Sequence, residues 1–434
     1  MEERMRIYIK NGRLLNPATG QDEVTDVLVE DRHILQVGKN LVSEAEENDL
    51  QVIDASGCYV MPGLIDLHVH FRDPGQTYKE DITTGARAAA RGGVTTVCTM
   101  PNTKPAVDSV ETLEYIRKKA EETAPIHVEQ LSAITVGQDG TELVDMQAMM
   151  EHGAIGFSED GKSVMDVTLY AEAMKKAAEL GAVVMAHCED KALVRGGVLN
   201  EGVASKRYQV PGITNSIEDI IAARDIFLAG DYGTHLHLCH CSTRGSVELV
   251  RMAKRLGIAV TAEVCPHHFT LTDADIDRED ANYKMNPPLR SEEDVQALIQ
   301  GLQDGTMEVI STDHAPHSAE EKAKDFIHAP FGIVGLETSA SLTYTALVDT
   351  GILTPLQMVE KMSWNPAKVI GIQEERGSIE PGKLADITIF DPDMEYVVNA
   401  ETFASKGRNT PYDGKVLKGR VVKTICRGSV VYAL

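Results

Sequence analysis

The chain has no surplus of positive charge. Lys and Arg number 42 against 66 Asp and Glu, giving a formal net charge of −24. A field of that sign argues against nucleic acid and against an anionic membrane as partners. There is no CxxC pair, and the seven cysteines (58, 98, 188, 239, 241, 265 and 426) are odd in number and several lie within apolar runs. That pattern excludes a disulfide framework and fits reduced, mostly buried thiols, so the expected compartment is the cytoplasm. The opening residues 1–12 lack the apolar segment of a signal peptide. No run approaches the ~18 apolar residues of a membrane span. Internal repeats and low-complexity tracts are also missing. What remains is a 434-residue chain, 43% hydrophobic, long enough for a large barrel and a satellite.

The middle of the chain alternates β-rich runs with segments of helical length. The runs are Met61–His70, Val94–Met100, His127–Ile134, Ala154–Ser158, Val183–Cys188, His235–His240, Ala259–Val264 and Glu308–Asp313. Between them, stretches such as Asp166–Leu180 repeat apolar residues at helical spacing (Leu169, Ala173, Ala177, Leu180). Several end in glycine, at Gly92, Gly153, Gly181 and Gly257, where a left-handed residue closes a helix. Eight strands alternating with helices predict an α/β protein with a (β/α)8 TIM barrel. An open doubly wound sheet is the alternative, but no GxGxxG follows the first strand. Both chain ends carry short alternating runs with turn signals, which predicts one small β-sandwich domain built from the two ends. The expected division is 1–60 and 371–434 for that domain and 61–370 for the barrel.

The chemistry gathers at the predicted strand ends. Strand side chains alternate, so His68 and His70 point the same way, as two imidazoles on a transition metal would. His187 closes the fifth strand, His240 the sixth and Asp313 the eighth, and Asp160 lies just past the fourth. In a barrel these ends share one mouth. Four histidines and two carboxylates there are a suitable set for two divalent ions. Cys265, His267 and His268 resemble a metal motif but have no matching partner set. His235 and His237 face opposite to His240 and are expected to pack. His33, His127, His152 and His328 carry no signal. Arg72, two residues past His70, offers a guanidinium fork for a carboxylate near the metals.

Residues 62–75, Pro-Gly-Leu-Ile-Asp-Leu-His-Val-His-Phe-Arg-Asp-Pro-Gly, and residues 311–322, Ser-Thr-Asp-His-Ala-Pro-His-Ser-Ala-Glu-Glu-Lys, resemble the two signatures of dihydroorotases. Met100-Pro101-Asn102 and Lys284–Arg290 resemble further segments of that family, and Gly377–Ile387 resembles a C-terminal β-domain segment of the wider amidohydrolase superfamily. The likeness runs from about residue 5 to the end and is closest to the long bacterial class.

The resemblance implies interconversion of dihydroorotate and water with N-carbamoyl-L-aspartate, in pyrimidine synthesis. It implies two zinc ions per subunit on His68, His70, Asp160, His187, His240 and Asp313, with Asp313 as general acid and base. It places Asn102 and His317 with Arg72 on the substrate carboxylate, Asn286 and the backbone of Phe331 and Gly332 on the ring amide, and His70 among the substrate contacts. A homodimer and an association with aspartate transcarbamoylase are the implied partners beyond the small-molecule substrate.

One departure stands out. Hydantoinases, allantoinases and short-form dihydroorotases carry a carbamylated lysine at the fourth strand, whereas this strand ends Ser158-Glu159-Asp160, with Lys162 two residues beyond and expected to face solvent. Two rival readings stay open here. One is a hydantoinase or dihydropyrimidinase; the other is a catalytically silent scaffold for aspartate transcarbamoylase.

Overall fold

The structure is a computed structural model that describes residues 5–43, 47 and 50–434. The chain opens with β1 (Arg6–Asn16), β2 (Gln21–Glu30), β3 (His33–Gly38), β4 (Gln51–Asp54) and β5 (Tyr59–Pro62). β1 and β2 are antiparallel, and a bulge between Ile9 and Gly12 lets β1 change its second partner. Its first half runs parallel to β4 and its second half parallel to β5. Glycine is needed at the bulge, because a Cβ on Gly12 would lie 2.3 Å from Cγ2 of Val60.

The barrel strands follow as β6 (Leu64–Val69), β7 (Val94–Thr99), β8 (His127–Gln130), β9 (Ser132–Ala133), β10 (Gly156–Ser158) and β11 (Val183–Ala186). A small parallel pair, β12 (Leu199–Asn200) and β13 (Gly212–Ile213), stands apart. The barrel resumes with β14 (Leu236–Leu238), β15 (Val260–Val264) and β16 (Val309–Ile310). β8 and β9 are two pieces of one strand broken at Leu131, so the eight predicted runs become eight staves. All neighbours are parallel. Every residue of β6, β7 and β11 is buried, as expected of strands covered on both faces. The ring closes between its first and last strands through a parallel bridge, Val69 to His314, where His70 N donates to His314 O at 2.9 Å.

The chain ends with β17 (Ile387–Val397), β18 (Val416–Cys426) and β19 (Ser429–Ala433). These join the first five strands in one eight-stranded sheet, ordered β19-β18-β17-β5-β1-β2-β3 with β4 on β1. Its buried side chains, among them Ile7, Ile9, Val27, Ile53, Ile387 and Ile425, meet in a core separate from the barrel's. The fold is a (β/α)8 barrel with a small β domain made from both chain ends.

The predicted helix at 166–180 is Val167–Leu180. Asp166 caps its N-terminus by accepting from the amides of Thr168 and Leu169, and Gly181 closes it at φ +65°. The turn after the helix Ile82–Arg91 differs from expectation. Gly92 has φ −82°, and the left-handed residue is Gly93 at +84°. Gly92 serves packing instead, since a Cβ there would meet Leu336 O at 2.0 Å. All seven cysteines are free, six of them buried. Among the described residues no helix is long and apolar enough to cross a membrane.

Candidate active site

All six expected donors come from the C-terminal ends of barrel staves. His70 follows β6, Asp160 lies two residues past β10, His187 follows β11, His240 lies two past β14 and Asp313 three past β16. They form one buried cluster. His68 Nε2 lies 3.2 Å from Asp160 Oδ1 and 3.5 Å from Asp313 Oδ1. His70 Nε2 lies 3.0 Å from Asp313 Oδ1 and 3.6 Å from Asp160 Oδ2. His187 Nδ1 and His240 Nε2 are each 3.7 Å from Asp160 Oδ1 and 2.9 Å from each other. Two triads result, His68-Asp160-His240 and His68-His70-Asp313, each with its donor atoms within 4.8 Å of one another.

The cluster calls for added positive charge. His68 Nε2, His187 Nε2 and Asp160 Oδ1 are buried without a hydrogen-bond partner, which is costly unless something else binds them. Burial opposes ionisation of Asp313, yet the neighbouring His68 and His70 hold its carboxyl at about 2. Burial opposes ionisation of Asp160 as well, yet His68, His240 and His70 together hold it well below the usual carboxylate range. Two buried carboxylates facing imidazole nitrogens suit divalent cations, and the residues fit the metal that the family signatures imply.

A second layer fixes these donors, and the sequence reading missed most of it. Glu263 on β15 is fully buried. Its Oε1 takes His68 Nδ1 at 2.8 Å and His240 N at 3.1 Å, and its Oε2 takes His237 Nε2 at 3.1 Å. That fixes the His68 tautomer and leaves Nε2 for a metal. His237 therefore does more than pack: it supports Glu263 and also meets Thr261 Oγ1 at 2.9 Å. A lone carboxylate inside the apolar run Ala259–Val264 was the available signal. Asp66 accepts from His68 N (3.1 Å) and Thr312 N (3.2 Å), and burial pushes it up to about 7. Glu189 Oε2 takes Asn286 Nδ2 at 2.5 Å and lies 4.0 Å from His187 Nε2.

The cavity over the cluster measures about 190 Å³. Arg72, Asn102, Asn286, Phe331 and Gly332 line it with the donors His70, Asp160, His187, His240 and Asp313; His68 and His317 lie behind. Asn102 uses its amide on the donors, with Oδ1 2.9 Å from His70 Nδ1 and Nδ2 donating to Asp160 Oδ2 at 2.9 Å. His317 Nε2 donates to Phe331 O at 2.8 Å, and Lys79 Nζ reaches its Nδ1 at 3.3 Å. Arg72 meets Pro316 O and His317 Nε2 at 3.4 Å and forms no ion pair among the described residues. Arg72, His240 and Asp313 adopt left-handed φ values of 59°, 32° and 50°, strain that non-glycine residues hold where the surroundings impose it. Lys162 donates to Gln138 O at 2.9 Å. Cys265, His267 and His268 do come within 4.8 Å of one another, as a separate group, and His268 Nε2 is spent on Pro287 O at 2.9 Å.

Known proteins match both the sequence and the fold. Residues 57–246 match the model of the dihydro-orotase-like family, and residues 336–432 match that of the amidohydrolase family. The dihydroorotase of Pelotomaculum thermopropionicum is 49% identical, over 98% of each chain. That of Clostridioides difficile is 49% identical over 98% of this chain and 99% of its own. Among solved structures, the L-hydantoinase of Arthrobacter aurescens superposes with a TM-score of 0.89 at 27% identity, over 99% of this chain and 97% of that one. Full-length identity near one half, together with the donor cluster, settles the family over the structural neighbour: the chain belongs to the dihydroorotases, metal-dependent hydrolases of a cyclic amide.

Proposed function

We propose that His68, His70, Asp160, His187, His240 and Asp313 hold two zinc ions and that Asp313 carries the proton in the dihydroorotase reaction. The observation that carries this reading is the convergence of six donors in one buried cluster, five of them lining the cavity, with three buried donor atoms left without hydrogen-bond partners. Imidazole and carboxylate donors suit zinc. When bound, the ions supply Lewis-acid activation of the attacking water and of the ring carbonyl. Asp313 accepts the water's proton and returns it to the departing ring nitrogen. In the direction of ring closure the same carboxylate takes the proton from the ureido nitrogen. Its left-handed backbone aims Oδ1 at His70 and into the cavity.

Arg72 is the residue for the substrate carboxylate that does not react. Its guanidinium borders the cavity, and burial makes an unpaired cation there expensive until a carboxylate arrives. Asn102 and His317 flank it, and Asn286, Phe331 and Gly332 form the wall for the ring amide. The missing lysine beside β10 and the unpaired Arg72 both weigh against a hydantoinase. The intact donor set weighs against a silent scaffold. The reaction assigned is the reversible cyclisation of N-carbamoyl-L-aspartate in a cytoplasmic setting. A homodimer and docking to aspartate transcarbamoylase belong to the same proposal.

Metal analysis beside turnover tests the assignment. Two zinc ions per chain are expected, with dihydroorotate consumption, followed in the ultraviolet, lost on chelation and restored by zinc. Full turnover by a metal-free protein would remove the proposal. Arg72→Met should lose about 2–5 kcal/mol in kcat/KM while keeping its metal. Normal turnover by that variant would mean that the carboxylate is held elsewhere.

A further inference from the structure

Lys284 and Lys322 are buried lysines, 2% and 8% exposed, and neither has an acidic partner within ion-pair distance among the described residues. Lys284 Nζ donates to the carbonyls of Phe326 (2.5 Å), Ala329 (2.6 Å) and Ile327 (3.4 Å). Lys322 Nζ donates to those of Gly332 (2.9 Å), Pro330 (3.1 Å) and Lys284 (3.2 Å). Burial lowers the first lysine to about 8 and the second to about 7. A desolvated ammonium group is expensive, and here the only hydrogen-bond acceptors that compensate it are main-chain oxygens. Both lysines belong to segments already picked out in the sequence, Lys284–Arg290 and Ser311–Lys322, yet no role attached to either.

All the carbonyls they bind, except that of Lys284 itself, belong to residues 326–332, a segment without helix or strand. Its outer side chains face solvent, with Ile327 57% exposed, so the segment is held from beneath. Gly332 N donates back to Lys284 O at 3.0 Å, and the Lys284 ammonium lies 4.4 Å from the centre of the Phe331 ring. Phe331 and Gly332 then turn inward to line the cavity. The same corner holds Arg72 and Lys79. Burial, then the charges of Arg72, Lys79 and Lys322, drive His317 down to about 2, which keeps it neutral. Positive charge is concentrated here in a chain whose net charge is −24.

We propose that Lys284 and Lys322 are positioning residues for the dihydroorotase reaction: bonded to main-chain carbonyls alone, their side chains set the shape of residues 326–332 and so place the Phe331–Gly332 wall against the substrate ring. The proposal rests on the reading that this wall contacts substrate. It makes the lysines determinants of substrate affinity that touch neither substrate nor metal. Replacing either removes charged donors and strands several buried carbonyls, which loosens the wall without disturbing the donor cluster.

The test uses the metal-loaded enzyme as Lys284→Met and Lys322→Met, with Lys322→Gln, which keeps two N–H donors, as the milder variant should a methionine protein not fold. Amide hydrogen exchange over 326–332 should quicken at least about tenfold, and KM for dihydroorotate should rise about tenfold or more while kcat changes less than about threefold. Metal content should stay at the wild-type level. Exchange at the wild-type rate, or a fall in kcat with KM unchanged, would overturn the proposal. The underlying reading has its own check: in the wild type, dihydroorotate should slow exchange at Gly332. No protection there would mean that the wall is not a substrate surface, whatever the lysines do.

Discussion

Asp313→Asn is expected to abolish most turnover of dihydroorotate while leaving the cavity's shape in place. The amide is nearly isosteric but cannot accept the proton, and lost acid–base catalysis alone accounts for a fall of about 10²–10⁴. The neighbouring imidazoles hold the Asp313 carboxyl at about 2, so the wild-type side chain is ready as a base throughout the neutral range. The substitution also weakens one donor of the His68-His70-Asp313 triad. Activity is therefore measured after metal content has been shown to match the wild type. Near-normal turnover by such a metal-replete protein would remove Asp313 from the proton path.

Asp160→Ala is the second large effect. Asp160 faces His68, His70, His187 and His240 within 3.7 Å, so it lies at the centre of the cluster. An aspartate is already anionic and needs no carbon dioxide to become a ligand. Apo-protein should regain activity with zinc equally well with and without bicarbonate. The alanine protein should lose at least one metal per chain and most activity, since it leaves imidazole donors with no central anion. Lys162, the nearest lysine in sequence, is engaged with Gln138 O. A bicarbonate requirement, or an alanine protein with its full metal complement, would show that another residue joins the ions.

The parts that were legible in the sequence share a cause. His68, His70, His187, His240 and Asp313 follow apolar runs, and parallel strands of a barrel deliver whatever follows them to one mouth. Helix limits such as 167–180 were readable because the cap and the closing glycine are local chemistry. The illegible parts depend on contacts between distant segments. Glu263 looks like one charge in a strand until His68, 195 positions away, is set beside it. Lys284 and Lys322 carry no role in the sequence reading, because no local pattern states that a lysine will be buried against carbonyls. The same holds for Gly92, whose packing against Leu336 O came from the far side of the barrel's sequence.

The closure of the barrel is unusual in what it is made of. β16 has only two residues, and its junction with β6 relies on side chains as much as on main chain. Thr312 N donates to the Asp66 carboxylate, Leu67 N to the Ser311 hydroxyl, and Thr312 Oγ1 to His68 O. The pieces joined this way stand 244–246 positions apart, yet they are the two signature segments themselves. As units of inheritance they are one object. A change at Asp66 alters the setting of Thr312, and a segment transplanted from a relative at one end brings a mismatched edge to the other. Recombination that exchanges the two segments together should yield working chimaeras more often than recombination that separates them.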